Sequence, residues 1–261
     1  MPSLMTDTPV VMSITSNDAT GGGGMSADIE TLCSLGCHCT PIITSLSPPG
    51  IFTSKYSQVA NTGLLIEQIR AVLEDIKVDL INIGYTASIT NIEAIHTILN
   101  DYPTIPVVFH PNLTDQPEFQ DMVEAAAALL LPRTDMLILT KNEAEALSPA
   151  ADTLSACAWG IMEFGCNNIL ITDSTEKGKY YTNHWYSHRS ISRQYQWQRL
   201  PYNYHGAMGT LSGAVSAYLA HGLSLAEALQ QAQKFCWQAL QNGRRIGMGD
   251  LVPNRIHWCQ R

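Results

Sequence analysis

Short apolar runs alternate with stretches of helical periodicity along most of this chain, and this alternation restricts the fold more than any other feature. The runs at 10–15 and 80–83 are short and rich in aliphatic residues, as buried strands are. Met25, Ile29 and Leu32 share one face of a predicted helix. Further strands are predicted at 42–44, 107–109, 136–139 and 168–171. Repeated β–α units of this length predict an α/β fold with a mostly parallel sheet covered on both faces.

The helices between these strands carry recognisable end signals. Gly36 and Gly222 follow helical stretches, as residues of left-handed conformation often do. Ser224 and Glu227 match a capping box, and Thr90 is predicted to cap another helix. The helices are predicted at about 65–76, 90–99, 119–131, 153–164, 207–221 and 225–241.

Residues 178–204 break this pattern, because aromatic residues there alternate with polar ones. Tyr181 and Trp197 are examples, and Arg193 and Arg199 help to make the segment basic. The alternation predicts antiparallel edge strands with one solvated face. A nucleic-acid patch is the alternative interpretation of a basic aromatic segment.

The bulk composition disfavours several classes of protein. A formal net charge of −8 argues against non-specific binding to nucleic acid. We expect no membrane span, because no apolar run reaches about 18 residues, and the N-terminus lacks the pattern of a signal peptide. We therefore expect a cytoplasmic protein with residues 1–9 as a flexible tail and residues 10–261 as a single domain.

Seven cysteines are an odd number, and they lie in otherwise apolar segments. Reduced, buried thiols explain them better than a disulfide framework does. Zinc binding by Cys33, Cys37, His38 and Cys39 is the alternative, but no second ligand pair follows at the spacing of a zinc finger.

A glycine-rich loop within residues 18–28 joins the first predicted strand to the first helix. The four successive glycines at 21–24 permit unusual dihedral angles and a close approach of the backbone to a ligand. The spacing does not match a dinucleotide fingerprint, and no lysine follows as it does in a P-loop. A ligand-binding loop and a flexible structural turn are both consistent with these residues.

A second glycine-containing turn leads directly into the helix predicted at 207–221, which begins with small residues. A helix start presents unpaired amide groups and the positive end of the helix dipole. We therefore predict that a phosphate group binds the backbone of Gly206, Ala207, Met208 and Gly209.

Three segments resemble motifs of the bacterial hydroxymethylpyrimidine/phosphomethylpyrimidine kinases, which belong to the ribokinase-like superfamily. Residues 18–28 resemble Asp-Pro-Ser-Gly-Gly-Ala-Gly-Ile-Gln-Ala-Asp, residues 140–146 resemble Thr-Pro-Asn-x-x-Glu-Ala, and residues 204–212 resemble Thr-His-Gly-Thr-Gly-Cys-Thr-Leu-Ser. The match begins near Val10 and continues to the chain end. It implies a ribokinase-like three-layer α/β/α domain, mostly parallel, with antiparallel edge strands.

The resemblance also implies roles for individual residues. The residues that it assigns to the substrate ring are Asp18, Gly22 and Asp28. Asn142 and Thr172 fall on the nucleotide side, and Glu145 is the implied ligand of Mg²⁺, acting through water. ATP and Mg²⁺ are thus the implied cofactors, and a small ring compound is the implied partner. A homodimer is compatible with the resemblance.

Several positions depart from the family pattern, and they cluster where the resemblance places the chemistry, including the nucleotide-side segment at 172–175. The position of the cysteine that activates the acceptor hydroxyl is occupied by Gly209, which has no side chain to take a proton. Pro49 replaces a ring-binding glutamine, Tyr85 a methionine and His110 an aspartate. Asn112 belongs to the same segment as His110, and we keep all four as substrate-side candidates.

The missing base should affect one acceptor more than another. General-base catalysis of attack by an alcohol contributes about 10²–10⁴-fold. A phosphomonoester has a second pKa of about 6 and is mostly ionised at neutral pH. We therefore expect an ATP-dependent kinase of thiamine biosynthesis whose phosphomethylpyrimidine step survives better than its hydroxymethylpyrimidine step. The alternative is a catalytically impaired binder or regulator of a phosphorylated ring, such as a pyrimidine phosphate or pyridoxal phosphate.

Overall fold

A computed structural model describes residues 8–47, 57–112, 120–173 and 178–259, and one sheet of nine strands runs through them. The strands are β1 Val10–Asp18, β2 His38–Ser47, β3 Gln58–Val59, β4 Leu80–Ile83, β5 Val107–Phe109, β6 Met136–Thr140, β7 Asn168–Asp173, β8 Tyr180–Ser187 and β9 Ser190–Gln198. Their spatial order is β3-β2-β1-β4-β5-β6-β7-β8-β9.

The strands from β2 to β7 in this order pair in parallel, whereas β8 and β9 pair antiparallel. The predicted antiparallel edge strands within 178–204 are therefore confirmed. The opposite edge also carries an antiparallel strand, β3, which sequence periodicity did not predict because it has two residues.

Eight α-helices in the described residues cover both faces of this sheet. They are α1 Gly24–Ser34, α2 Thr62–Asp75, α3 Ile89–Asp101, α4 Gln120–Leu129, α5 Lys141–Leu147, α6 Leu154–Met162, α7 Ala207–Ala220 and α8 Leu225–Gln241. Residues of α2 to α6 form one core layer, and residues of α1, α7 and α8 form the other. In β6, Leu137 and Leu139 enter the first layer while Met136 and Ile138 enter the second. The predicted three-layer α/β/α fold is confirmed.

The predicted helix ends are mostly correct. Gly36 and Gly222 both have positive φ angles, 79° and 81°, and the capping box of Ser224 is formed. The predicted cap at Thr90 is wrong. The side chain of Ser88 accepts the Asn91 amide instead, because Ser88 has the extended backbone of an N-cap and Thr90 lies inside the first turn.

Five of the seven cysteines are buried, but Cys33 and Cys259 are exposed. The prediction of buried thiols is therefore wrong for these two, since apolar surroundings in sequence do not fix which face of a helix a residue occupies. Within the described ranges, no three His, Cys, Asp or Glu residues are placed to bind a metal ion. Nor does any helix there have the length and apolar character required to cross a membrane.

The parallel strands all end at one edge of the sheet, and the loops that follow them gather there. The glycine-rich loop follows β1 at Asp18, and residues 84–88 and 110–112 follow β4 and β5. Open α/β sheets bind ligands at this edge. Two predictions fall outside the described residues, namely most of the tail at 1–9 and the substrate candidate Pro49.

Candidate functional site

Two adjoining cavities open near the carboxyl ends of the strands. We call the first the polar cavity; it has a volume of about 210 Å³ and its lining includes Asp28 and Tyr85. The second, the aromatic cavity, has about 340 Å³ and its lining includes Tyr181 and Trp197. The residues that line both cavities are Tyr204, Ala207 and Met208. The cavities therefore meet at the start of α7.

The start of α7 has the geometry predicted for an anion site. Gly206 occupies the N-cap position with a φ of 87°, and no side chain in the described residues caps the helix. The amide of Thr210 donates to the Gly206 carbonyl at 3.0 Å, which leaves the amides of residues 207–209 without helical acceptors. A side chain at Gly206 would collide with the Gly22 carbonyl oxygen, so glycine is required sterically as well as conformationally.

Arg255 holds the two glycine loops together. Its guanidinium donates to the carbonyl oxygens of Gly22 at 2.6 Å and Gly206 at 3.4 Å, and to Thr210 Oγ1 at 2.9 Å. A further bond of 2.9 Å reaches Glu30 Oε2. The Arg255 side chain is fully buried, so its positive charge lies behind the amides of the α7 start.

Asp18 organises the glycine-rich loop from within. Its carboxylate accepts the amides of Thr20 and Gly23, both at 2.9 Å, and contacts His205 Nε2 at 2.5 Å. Burial by itself would raise the pKa of Asp18, but the hydrogen bonds from Thr20 and His205 outweigh it and lower the pKa. Asp18 and Gly22 lie outside the lining of the polar cavity, whereas Gly23 contributes to it. Both predicted substrate residues therefore shape the loop.

Asp28 lies buried on α1 beside the polar cavity. Its Oδ2 accepts hydrogen bonds from Ser13 Oγ at 2.5 Å and Asn82 Nδ2 at 3.1 Å. Ser212 of α7 donates to Asn82 Oδ1 at 2.7 Å, so one polar chain joins β1, β4 and both helices. Desolvation raises the pKa of Asp28 to about 7, although Ser13, Arg255 and Asn82 oppose this rise.

The other substrate-side candidates lie together in the polar cavity. Tyr85, His110 and Asn112 all line it, because they follow the neighbouring strands β4 and β5. The Tyr85 amide donates to Thr15 Oγ1 at 3.2 Å, and burial raises the pKa of the Tyr85 phenol. His110 Nδ1 lies 3.1 Å from the Ile138 carbonyl, which can only accept, so we assign the proton to Nδ1.

The nucleotide-side candidates are not brought together. Thr172 lines the aromatic cavity, but Asn142 and Glu145 are exposed on α5 and line neither cavity. The buried acid of this helix is Glu143, which forms a capping box with Thr140. Glu145 therefore does not fit a resident Mg²⁺ near the α7 start, and the described residues contain no cluster of metal ligands there.

The antiparallel strands β8 and β9 contribute one wall of the aromatic cavity. Trp197 and Trp237 stack with ring centroids 6.4 Å apart, and Trp197 Nε1 donates to Gln233 Oε1 at 3.1 Å. The Arg199 guanidinium lies 5.9 Å from the centroid of the Tyr181 ring. The pattern that suggested a nucleic-acid patch therefore places aromatic faces around a cavity large enough for a small molecule.

Sequence reasoning missed several residues of this site. His205 lies inside the third motif, so the motif match contained the signal for it. Ser13 and Asn82 are polar residues within predicted buried strands, where a polar side chain is itself informative. Arg255 lies in the C-terminal segment with no local pattern, and only the tertiary structure shows its role.

The fold of this chain is similar to that of several solved structures. The pyridoxal kinase from Staphylococcus aureus in complex with pyridoxal has a TM-score of 0.87 at 22% identity, covering 97% of this chain and 95% of that one. The phosphomethylpyrimidine kinase from Clostridium difficile has a TM-score of 0.74 at 21% identity, covering 89% and 99%. At identities this low, the structural similarity establishes the fold and not the function.

Sequence comparison establishes the family. A family model for phosphomethylpyrimidine kinase matches residues 18–254, and the chain belongs to that family. A hydroxymethylpyrimidine/phosphomethylpyrimidine kinase of Rhizobium meliloti is 27% identical over 252 residues, covering 93% of this chain and 94% of the relative. A probable thiamine biosynthetic bifunctional enzyme of rice is 24% identical and covers 93% of this chain. The chain spans about half the length of this relative and of a similar Geobacter protein, 46% and 52%.

Replacing Arg255 by Met should lower the free energy of unfolding by about 3–5 kcal/mol, because the buried carbonyls of Gly22 and Gly206 lose their donor. Arg70 is the matched control, since it forms an exposed pair with Asp101 at 3.1 Å. Arg70→Met should cost less than about 1 kcal/mol. Urea denaturation measures both variants, and equally small losses would contradict the role of Arg255.

Asp28→Asn should change how stability depends on pH. The folded pKa of about 7 lies above the ordinary value of 3.8, so the folded wild type holds a proton that the unfolded chain releases between these values. Wild-type stability therefore falls as pH rises through this window, by at most about 4 kcal/mol. The variant should lack this fall and be the more stable protein at about pH 8. Urea denaturation at several pH values measures the free energy of unfolding of both proteins. Parallel curves of this free energy against pH would contradict the prediction.

Proposed function

We propose that this protein transfers the γ-phosphoryl group of ATP to hydroxymethylpyrimidine or its monophosphate in thiamine biosynthesis. The observation that carries the proposal is the meeting of the aromatic and polar cavities at Ala207 and Met208. Phosphoryl transfer requires a donor and an acceptor to approach one anion site in a fixed geometry. Membership of the phosphomethylpyrimidine kinase family supports the substrate class.

The aromatic cavity suits the nucleotide base. Trp197 and Tyr181 offer aromatic faces for stacking, and Thr140 and Thr172 supply hydroxyl groups on the side of the strand ends. A base in this cavity would direct the phosphates toward the α7 start. The amides of residues 207–209 would then stabilise the charge of the transferred phosphoryl group.

The polar cavity suits the acceptor ring. Tyr85 can stack on a pyrimidine, and His110 and Asn112 can hydrogen-bond to its ring nitrogens and amino group. With the ring held there, the acceptor oxygen faces the phosphoryl group across the α7 start. In-line attack then needs positioning and charge stabilisation, which backbone amides and the nearby Arg255 charge can supply.

The acceptor decides how much proton transfer matters. The oxygen of the monophosphate is mostly ionised at neutral pH and attacks without losing a proton to the enzyme. The free hydroxyl must give up its proton, and Gly209 cannot receive it. The residues described here can therefore support transfer to the monophosphate without a general base.

Mg²⁺ belongs to this proposal as a companion of the nucleotide, arriving as Mg·ATP, because Glu145 is exposed outside both cavities. Mg²⁺ commonly binds through substrate phosphates and keeps several waters. We assign no step to it. A cytoplasmic location and a homodimer also stay predictions.

The proposal is tested by incubating the protein with Mg·ATP and one acceptor at a time: hydroxymethylpyrimidine, its monophosphate, pyridoxal, or none. We expect ADP release with the monophosphate well above the rate without acceptor, and a diphosphate product by ³¹P NMR. ADP release with pyridoxal but with neither pyrimidine acceptor would contradict the substrate class. A rise in Tm with the monophosphate and no ADP release with any acceptor would contradict the kinase function and identify a binder.

A further inference from the structure

The position of Gly209 opens onto a single carboxylate. A Cβ built on Gly209 would lie 3.5 Å from Ala27 Cβ and 3.8 Å from Asp28 Oδ1. Apart from the two chain neighbours of Gly209, Asp28 Oδ1 is the only polar side-chain atom of the described residues within 4 Å of that point. A side chain at this position, as the family resemblance implies, would occupy the space beside Asp28 Oδ1, and its absence leaves that space free.

One oxygen of the Asp28 carboxyl group accepts two hydrogen bonds, and the other accepts none from the described residues. Oδ2 accepts from Ser13 Oγ at 2.5 Å and from Asn82 Nδ2 at 3.1 Å, which fixes the rotation of the group. Asn82 is itself oriented by Ser212. No hydrogen bond in the described part of the chain reaches Oδ1, and Asp28 lines the polar cavity.

The surroundings of Asp28 favour proton exchange near neutrality. Burial raises its pKa to about 7, against the opposing effects of Ser13, Arg255 and Asn82. Cys39 of β2 also interacts electrostatically with it. Gly209 and Gly213 of α7 approach Asp28, and neither carries a charged side chain. A base is most effective when its pKa lies near the working pH.

We propose that Asp28 is the general base for the hydroxyl acceptor in this protein, in place of the side chain absent at position 209. This inference rests on the proposed kinase function. Asp28 Oδ1 takes the hydroxyl proton, directly or through one water, as the hydroxyl oxygen bonds to the γ-phosphorus. The bond from the γ-phosphorus to the β–γ bridging oxygen breaks, the nucleoside diphosphate leaves, and Asp28 later returns the proton to solvent.

Two histidines of the polar cavity are less suited to this role. His205 directs Nε2 to the Asp18 carboxylate at 2.5 Å, and His110 directs Nδ1 to the Ile138 carbonyl at 3.1 Å. Neither ring comes within 4 Å of the Cβ position at Gly209. His205 is placed to support the glycine-rich loop and His110 to contact the substrate ring, and neither is placed to take a proton from the acceptor oxygen.

The first experiment measures Asp28→Asn with both acceptors. We expect kcat with hydroxymethylpyrimidine to fall about 10²–10⁴-fold while KM changes little. We expect kcat with the monophosphate to change less than about tenfold, because that oxygen is already ionised. Asp79→Asn is the matched control, since Asp79 accepts the Val10 amide at 2.9 Å far from Gly209 in the fold. Its rates should equal those of the wild type.

The pH profile separates a base from a structural group. Wild-type kcat for the hydroxyl acceptor should rise through about pH 7 and then level, and Asp28→Asn should lose this limb. Ser13→Ala should move the limb to higher pH, because the Ser13 hydrogen bond lowers the pKa of Asp28. This second variant keeps the test available if Asp28→Asn does not fold.

A cysteine at position 209 gives the sharpest discrimination, since the contacts of 3.5 and 3.8 Å leave room for it. Gly209→Cys should restore hydroxyl turnover in the Asp28→Asn background and change it less than about tenfold in the wild type. A rise of about 100-fold or more in the wild type would show that no base was present and overturn the proposal. Wild-type turnover of the monophosphate alone would overturn it while leaving the kinase function intact. Turnover of neither acceptor would overturn both.

Discussion

The buried guanidinium of Arg255 is the contact on which the site depends. It bonds to the carbonyls of Gly22 and Gly206 at once, and these belong to the two loops that form the walls around the α7 start. A charge without solvent is tolerated only when its donors are satisfied, and Thr210 and Glu30 complete that set. The two loops are consequently fixed to each other, and the positive charge lies behind amides that already favour an anion.

A chain of hydrogen-bonded polar side chains joins β1, β4, α1 and α7 close to the contacts of Arg255, and it lowers the stability of the fold. Ser13 and Asn82 hold the Asp28 carboxyl group, and Ser212 orients Asn82. Burial opposes the ionisation of Asp28 in this place. An apolar residue would pack there without such a penalty. A carboxyl group kept near its ionisation point is a common property of catalytic sites, and the lost side chain at Gly209 leaves this group facing the cavity.

Periodicity predicted the fold because strands such as β6, at residues 136–140, place apolar residues on both faces. The helices between the strands carry apolar stripes. It failed for β3, which is too short to show a period. The glycine-capped start of α7 was predictable because Gly206 and the small residues after it form a local pattern. Arg255 was not, because its partners are more than 40 residues away in the chain and no local pattern marks them. The exposure of Glu145 could not be predicted, because a motif match fixes position in sequence but not exposure.

The most direct test of the account is a crystal structure with a non-hydrolysable ATP analogue and hydroxymethylpyrimidine bound together. We expect the terminal phosphate to lie at hydrogen-bond distance from the amides of residues 207–209. We also expect the nucleotide base to lie against Trp197 in the aromatic cavity and the pyrimidine to lie against Tyr85 in the polar cavity. Phosphates bound away from the α7 start, or both ligands competing for one cavity, would contradict the account.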